Sequence, residues 1–333
     1  MKKLARPLCV LLCLCLTAGG ALAAEDLCAP TVQALLDKAP EPAVGATGGE
    51  WGVLALARWG GGVPQEYFDG YYQRLTDTLA EKGGVLHTRK YSEYSRVVLA
   101  LTAMGKDPGD VGGYDLLAPL ADVERTTYQG VNGAIFALLA LDAGGYDVPG
   151  VRQQYVEFIL DEQLPDGGFT LAGERADPDV TAMALQALAP YRGQEIVGQA
   201  VQQGVARLSE MQKSTGGYEG WGADSCESTA QVIIALGQLG IPLDDERFVK
   251  DGNSLLDNLL SYRLPDGAFS HTPGGEANLM ATEQAACALV SAVRQQDGRA
   301  PLYTMNENAE IPADAARQAA SLGRLVFHLV SGL

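Results

Sequence analysis

Two short stretches of the sequence carry the side chains with the clearest chemical potential. The first, Asp177-Pro-Asp-Val-Thr-Ala182, places two carboxylates two residues apart, and the second, Asp224-Ser-Cys-Glu227, adds a thiol to another pair of carboxylates. Carboxylates act as general acids or bases, and carboxylates and thiolates are ligands of zinc. Each stretch precedes an alanine-rich apolar segment, where a carboxylate can equally cap a helix. The elements that position these residues must decide between catalysis, metal binding and capping.

The start of the chain has the order of a secretory signal peptide. Three basic residues precede an apolar stretch from Leu8 to Leu16 and the small-residue end Ala21-Leu-Ala23, which is the order typical of such signals. The apolar part is shorter than the about 20 residues that span a bilayer. We expect residues 1–24 to be cleaved and the chain to be secreted or held at the cell surface without a membrane span, and a retained anchor is the alternative.

Removal of this segment leaves an acidic chain with few cysteines. The formal net charge of −17 becomes −20, because three basic residues leave with the signal. Nucleic acid and anionic lipid repel such a chain, so neither is expected as a partner. Only Cys28, Cys226 and Cys287 remain of the six cysteines, which is not a disulfide framework.

Six alanine-rich segments recur along the chain and indicate its architecture. Each contains an Ala-Leu pair, and the pairs begin at Ala55, Ala100, Ala140, Ala187, Ala235 and Ala288. These segments are apolar nearly all round, as helices enclosed by other helices are. Amphipathic helices are predicted between them, at Pro30–Lys38, Pro64–Lys82, Tyr114–Glu124, Pro149–Gln163, Gln194–Gln212 and Glu246–Tyr262. Helix pairs that cannot bury their faces alone must stack. We therefore predict an all-α fold, a closed (α/α)6 barrel of six helix-pair repeats, with an open solenoid as the alternative.

Three connections between an outer and an inner helix share a motif. They are Gln163-Leu-Pro-Asp-Gly-Gly-Phe169, Gln212-Lys-Ser-Thr-Gly-Gly-Tyr218 and Arg263-Leu-Pro-Asp-Gly-Ala-Phe269. The motif resembles the Q-x-x-D-G-G-aromatic loop of the prenyltransferase and squalene-oxidase repeat superfamily, which includes terpenoid cyclases, protein prenyltransferases and the B12 carriers transcobalamin and intrinsic factor. The resemblance covers roughly residues 45–305 and implies an α/α toroid whose chemistry lies where the inner helices begin. Turns with positive-φ glycines and a packing aromatic make these loops structural in the first place.

The first acidic stretch resembles the D-x-D-D-T-A motif of squalene–hopene cyclases. In that family the middle Asp protonates an alkene, and Asp179 falls on its position, whereas Val180 replaces the last Asp. The resemblance implies that Asp179 is a general acid strengthened by its neighbours. The residues themselves favour helix capping by Asp177 or Asp179.

The second stretch resembles the D-x-C-Y-S-x-x-Q segment of protein prenyltransferases, in which the Asp and Cys bind zinc together with a later His. Ala281 stands at that His position, and the nearest His upstream is His271. Asp224 and Cys226 thus form an incomplete zinc-like pair. No metal or other cofactor is expected, and Cys226 is predicted to be a buried small hydrophobe.

With both motifs broken, the barrel mouth is interpreted as a binding surface, because aromatic side chains interleaved with polar groups suit a ligand cleft. The residues assigned to it are Tyr94, Asp177, Asp179, Trp221, Asp224, Glu227 and Glu283. A resemblance to the secreted branch near transcobalamin and intrinsic factor implies a cobamide-like ligand. The leading prediction is an exported, non-catalytic module that binds a cobamide-like or isoprenoid-like small molecule or a surface protein. The alternatives are a terpene-cyclase-like isomerase that uses Asp179 as general acid, and a structural spacer.

The predicted organisation has three parts. A signal peptide over 1–24 precedes the toroid over 25–304, and a C-terminal loop with an amphipathic helix (Pro312–Leu333) fills 305–333.

Overall fold

The computed structural model describes residues 24–220 and 222–306, in which inner and outer helices alternate along the chain. The outer helices are α1 (Ala24–Lys38), α3 (Gln65–Glu81), α5 (Val123–Thr127), α7 (Val151–Asp161), α9 (Glu195–Met211) and α11 (Leu255–Leu260). The inner helices are α2 (Glu50–Trp59), α4 (Ser92–Ala103), α6 (Val131–Ala143), α8 (Pro178–Leu188), α10 (Cys226–Leu239) and α12 (Leu279–Gln296). Short 3-10 turns occur at Ala118–Ala121, Ala189–Tyr191 and Glu246–Phe248.

The inner helices form a closed ring. Each one contacts the next along the chain from α2 to α12, and α12 packs against α2. The first outer helix, α1, packs against α12 and covers this seam. The predicted (α/α)6 barrel is therefore confirmed, and the chain is not an open solenoid.

The inner helices all begin at the same end of the ring, which we call the mouth. Glu283, near the start of α12, bonds the amide of Gly52 near the start of α2. Likewise Gln129, just before α6, accepts hydrogen bonds from Ser92 at the start of α4. The acidic stretches that precede α8 and α10 consequently lie at this mouth.

Burial explains the division into layers. Eleven of the thirteen residues of α6 are buried, so this helix has no face for water and belongs inside. In the outer helix α9 the buried residues recur every three to four positions, as in Val197, Val201 and Leu208. The alanines of the inner helices let the helix backbones approach closely.

Two outer helices are shorter than the amphipathic pattern predicts. The segment Tyr114–Glu124 contains a 3-10 turn with a proline before the five-residue α5. In Glu246–Tyr262 the left-handed backbone at Asp251 and Gly252 interrupts the helix, and the chain restarts at α11 with a capping box on Ser254. Positive φ is incompatible with a continuous right-handed helix.

The repeated loops join each repeat to the next. Gln163 Nε2 donates to the carbonyl oxygens of Gly167 in its own loop and Ala200 in α9, at 2.8 and 2.9 Å. Gln212 makes the same pair of bonds one repeat later. The backbone amide of the buried loop residue Phe169 donates to Thr181 Oγ1 in α8 at 2.9 Å. These contacts confirm the structural role predicted for the motif.

We expect Gly267→Ala to destabilise the protein more than Gly252→Ala. Both glycines have left-handed φ, +83° and +82°, but a Cβ on Gly267 lies 2.1 Å from the carbonyl oxygen of Pro30 in α1, whereas Gly252 has open space. Both variants therefore suffer similar backbone strain, and only Gly267→Ala adds a steric clash. The clash should lower the free energy of unfolding by a further about 1–3 kcal/mol. Urea unfolding of both variants measures the difference, and equal losses would show that the loop does not press on α1.

A small hairpin precedes α10, although the sequence contains almost no strand signal. Strand β1 (Tyr218–Gly220) pairs antiparallel with β2 (Ala223–Ser225), with Glu219 opposite Asp224. The hairpin lies at the mouth because it runs directly into the first residue of α10.

Several sequence predictions concern segments beyond this part of the chain. Residues 1–23 and Pro312–Leu333 lie outside the described residues, so the signal peptide and the C-terminal helix stay predictions. Within the described residues, Cys28, Cys226 and Cys287 are buried and free. No helix of 24–220 or 222–306 is long and apolar enough to cross a membrane.

Candidate functional site

Asp177 is the cap of α8, and this releases its neighbour Asp179. The Asp177 carboxylate accepts hydrogen bonds from the amides of Asp179 and Val180, at 2.8 and 3.1 Å. Ser225 and Asn278 cap α10 and α12 in the same way. The sequence left open whether Asp177 or Asp179 caps the helix. The structure shows that Asp177 is the cap, so the side chain of Asp179 can have a different role.

Asp179 is a weak acid held in a poorly solvated place. The pKa of its carboxyl is raised to about 7, mainly by burial; the Ser228 hydroxyl and His271 lower it, and the charges of Asp177 and Glu227 contribute to the rise. Asp179 Oδ1 and Ser228 Oγ are buried, and neither makes a hydrogen bond of ordinary geometry with the described residues. The protonated carboxyl is thus well populated at neutral pH.

Glu227 supplies a second carboxylate beside Asp179. It occupies the same position in its repeat, since both residues precede the Ala-Leu pair of their helix by eight positions. Its Oε2 lies 2.7 Å from His271 Nδ1 and 3.3 Å from Ser225 Oγ. The backbone of the His271 loop is fixed as well, because the carbonyl oxygen of His271 accepts the Cys226 amide at 3.0 Å. The carboxylate is thereby held in place at the mouth.

Asp224 and Cys226 do not come together as metal ligands. Asp224 forms an ion pair with Lys213, and Lys213 lies 3.8 Å from Glu219 across the hairpin. Cys226 is fully buried, and burial raises the pKa of its thiol well above the ordinary value. Among residues 24–220 and 222–306, no three His, Cys, Asp or Glu side chains are grouped so that they could hold a metal ion.

Two residues assigned to the mouth are engaged in packing. Tyr94 is buried, and its hydroxyl accepts the Leu86 amide at 3.0 Å, which fixes the loop before α4. Glu283 is 1% exposed, and its Oε1 accepts the amides of Gly49 and Gly52, both at 3.1 Å. With these two bonds Glu283 connects α12 to the start of α2 and thereby closes the ring at the seam. Trp221 lies outside the described residues.

The ring interior has an aromatic side and an amide side. The rings of Trp51 on α2 and Phe136 on α6 are 5.4 Å apart, and because α4 separates these helices, the contact crosses the interior. On the opposite side a chain of amides connects three helices, since Gln186 donates to Gln231 and Gln231 donates to Gln284. Gln186 follows Asp179 by two helical turns, about 10 Å along α8.

The rim of the mouth is partly apolar. The structure exposes four large hydrophobic side chains in the loops or first turns that lead into inner helices, namely Val85, Tyr128, Leu171 and Met280. Arg89 lies over the ring of Tyr128, with Cζ 4.7 Å from its centroid. Exposed apolar groups are typical of a ligand-binding face, and Asp179 lies at the same end of the ring.

The sequence identified Asp177, Asp179, Asp224 and Glu227 at the mouth but not the partners of the last. His271 follows the third Asp-Gly turn, and its bond to Glu227 depends on how that loop folds back over α10. Register within the repeats is the signal that connects Asp179 with Glu227. Register also connects Gln231 with Gln284, which both precede their Ala-Leu pair by four positions, but it does not point to Gln186.

Comparison with known proteins supports the fold. No protein-family model matches the chain and no curated protein matches it. Two similar solved structures are the unsaturated glucuronyl hydrolase from Bacillus sp. GL1, responsible for the degradation of glycosaminoglycan, and a UGL variant with dGlcA-Glc-Rha-Glc. Each has a TM-score of 0.54 and 12% identity, over 84% of this chain and 98% of the other. The chain therefore has the α/α-toroid fold.

These structures also correct the functional prediction. The unsaturated glucuronyl hydrolase, which shares the ring over nearly its whole length, is an enzyme; this contradicts the expectation of a non-catalytic binding module, which leaned against an enzyme. That expectation depended on the two broken motifs, Val180 and Ala281. It gave too little weight to Asp179, whose acidity depends on its surroundings and not on the last residue of a motif.

Proposed function

We propose that this protein is an enzyme that uses Asp179 as a general acid at the mouth of the toroid. The observation that carries the proposal is the burial of this carboxyl beside Glu227, which raises its pKa to about 7 and keeps a proton on it near neutral pH. A general acid works best when its pKa lies near the working pH. Oδ1 of Asp179 is buried without a hydrogen-bond partner among the described residues, and a substrate hydroxyl or ether oxygen would supply one.

The reaction that these two carboxylates support best is hydrolysis of a glycosidic bond. Asp179 donates its proton to the leaving oxygen, while Glu227, held by His271, accepts a proton from the attacking water. Water is added across the bond, and exchange with solvent returns the two carboxyl groups to their starting states. The hydrolase activity of the two similar structures supports this choice of reaction class.

An uncharged glycan suits the mouth better than a uronate. Asp177, Asp179, Asp224 and Glu227 all lie there, and Lys213 is already paired with Asp224. A negatively charged sugar would meet the like charges of these four carboxylates, and the rim cation Arg89 lies over the ring of Tyr128. The face of the exposed Tyr128 ring that Arg89 does not cover offers an apolar surface on which a sugar ring can pack.

A second candidate is an isomerase that protonates an alkene of an isoprenoid. The observation in its favour is the position of Asp179, which matches the acid of the D-x-D-D-T-A motif. The exposed apolar rim would accept a hydrocarbon chain. Both candidates use the same acid and differ in substrate.

Product analysis distinguishes them. The purified protein is incubated at pH 6 with malto-, xylo- and cello-oligosaccharides, with a glucuronate-ended oligosaccharide, and with squalene. New reducing ends from an uncharged glycan support the hydrolase, and a cyclised hydrocarbon supports the isomerase. Cleavage of the glucuronate-ended chain alone contradicts the charge argument, and the absence of every product contradicts the general-acid role.

Export remains part of the proposal. The basic start, the apolar stretch and the Ala21-Leu-Ala23 end support secretion or display at the cell surface. Any closer relation to the prenyltransferase or transcobalamin branches rests on the loop motif and on the incomplete D-x-C-Y-S-x-x-Q resemblance.

A further inference from the structure

A cavity opens at the end of the ring opposite the mouth. It has a volume of about 600 Å³ and is lined where α6, α8 and α10 end, with the segment after α12 completing its wall. Ligand cavities in proteins measure about 300–1,000 Å³. Asp179 lies two helical turns up α8 from the cavity residue Gln186, so this space is distinct from the mouth.

A half-buried ion pair forms one wall of the cavity. Asp142 Oδ1 accepts hydrogen bonds from Arg152 Nε at 2.7 Å and from the Tyr191 hydroxyl at 3.1 Å. Arg152 is anchored in turn, since its Nη2 donates to the carbonyl oxygens of Leu141 and Tyr146. The pair brings no net charge to this wall, and the remaining charged lining residue, Asp147, is exposed.

Two acceptor oxygens in the lining have no partner among the described residues. One is the second carboxylate oxygen of Asp142, Oδ2, and the other is Oε1 of Gln186, whose side chain is fully buried. Burial raises the pKa of Asp142, although the hydrogen bonds from Arg152 and Tyr191 lower it. The net rise reflects poor solvation of the carboxylate charge. A buried acceptor without a donor is unfavourable, so a ligand with hydroxyl groups would stabilise this wall.

Aromatic rings complete the lining. Tyr146, Tyr191 and Tyr303 all contribute to it, and Tyr303 is buried with its amide donating to Gln238 Oε1 at 3.2 Å. Flat apolar surfaces beside fixed polar groups bind rings that carry hydroxyls on their edges.

We propose that this cavity is a binding site for an uncharged sugar, with Asp142 and Gln186 accepting hydrogen bonds from its hydroxyl groups and the tyrosine rings packing against its faces. The compensated Asp142–Arg152 pair selects against charged sugars. The site goes beyond the proposed catalytic mouth and does not depend on it.

Fluorine NMR of the full-length chain labelled with 3-fluorotyrosine tests the proposal. The signal of Tyr191 is assigned by its loss in Tyr191→Phe, and that of the exposed rim residue Tyr128 by its loss in Tyr128→Phe. The protein is titrated to high millimolar concentration with D-glucose, D-glucosamine and D-glucuronate, which share one ring and differ in charge. We expect glucose to shift the Tyr191 signal and each charged sugar to bind at least tenfold more weakly.

Two variants locate the sugar. Asp142→Asn should weaken the glucose response of Tyr191 at least tenfold, while Asp179→Asn at the mouth should leave it unchanged, so this proposal and the catalytic one fail separately. If Asp142→Asn disturbs the fold, Tyr191→Phe serves as the second variant. It lacks one hydroxyl of the cavity wall and should bind glucose more weakly. Its binding is followed by the signal of Tyr303, which is assigned by its loss in Tyr303→Phe. No shift of Tyr191 or Tyr303 with glucose, a shift of Tyr128 alone, or tighter binding of a charged sugar would overturn the proposal.

Discussion

Replacing Asp179 by Asn is expected to lower kcat/KM by a factor of about 10² to 10⁴, the usual contribution of a positioned general acid. Asn keeps the shape of the side chain but has no proton of suitable acidity to donate. The wild-type rate should fall as pH rises through about 7, where the Asp179 carboxyl loses its proton. The measurement is kcat/KM against pH on the substrate that the product analysis identifies.

The control for this loss is Asp69→Asn, which makes the same chemical change on the exposed face of the outer helix α3. It should keep the wild-type rate and pH profile. A wild-type rate in Asp179→Asn, or an alkaline limb that remains near pH 7 in a partly active variant, would assign the acid to another residue.

The same substitution is expected to stabilise the protein at alkaline pH. The folded pKa of Asp179, about 7, is raised above the about 3.9 of an unfolded Asp. Its contribution to stability is therefore fully present below about pH 4 and is lost as pH rises through about 7. Asn does not titrate, so the variant escapes this loss.

The gain should be small at pH 4 and on the order of 2 kcal/mol at pH 8, since each pKa unit corresponds to about 1.4 kcal/mol and Asp179 is only partly buried. Urea unfolding of both proteins at the two pH values measures it. Higher stability together with lost turnover would identify strain retained for function, whereas destabilisation at pH 8 would show that the ionised carboxylate has a stabilising partner.

The fold could be predicted from sequence because the same pattern occurs six times and each repeat supports the assignment of the others. Six apolar segments with a constant Ala-Leu position define inner helices, and their closure follows from the lack of any polar terminal pair. The shortened outer helices were missed because backbone breaks at Asp251 and Gly252 depend on local conformation that the amphipathic pattern does not report.

The candidate site was predictable only in part. Asp177 and Asp179 could be placed at a helix start, but which of them caps and which is free depends on the first turn of α8. The bond between His271 and Glu227 joins residues 44 apart, and the Asp142–Arg152–Tyr191 wall joins a helix end, the next helix and a 3-10 turn. Such clusters are created by tertiary packing and have no spacing that a sequence motif could reveal.

Replacing Glu283 by Ala is expected to open the seam of the ring and to lower the free energy of unfolding by about 3–5 kcal/mol. The carboxylate accepts two amide hydrogen bonds from the start of α2, and its removal leaves both buried donors unpaired, at about 1–3 kcal/mol each. Gln keeps an acceptor oxygen, so Glu283→Gln should lose about 1 kcal/mol or less. Burial raises the pKa of Glu283 to about 6, so the contribution of this side chain to stability declines as pH rises through 6. The stability of Glu283→Gln should therefore come closest to that of the wild type at pH 8.

Hydrogen exchange separates loss of the seam from general destabilisation. In Glu283→Ala the amides of Gly49 and Gly52 should lose protection first, while those of α6, across the ring, keep it until global unfolding. Glu276→Ala, which removes an exposed carboxylate just before α12, should change neither stability nor exchange. A loss below 1 kcal/mol in Glu283→Ala with unchanged exchange at Gly52 would show that α1, packed over the seam, holds the ring closed without this clamp. The expected result instead makes the last inner helix, through one buried side chain, the element that converts six stacked pairs into a ring.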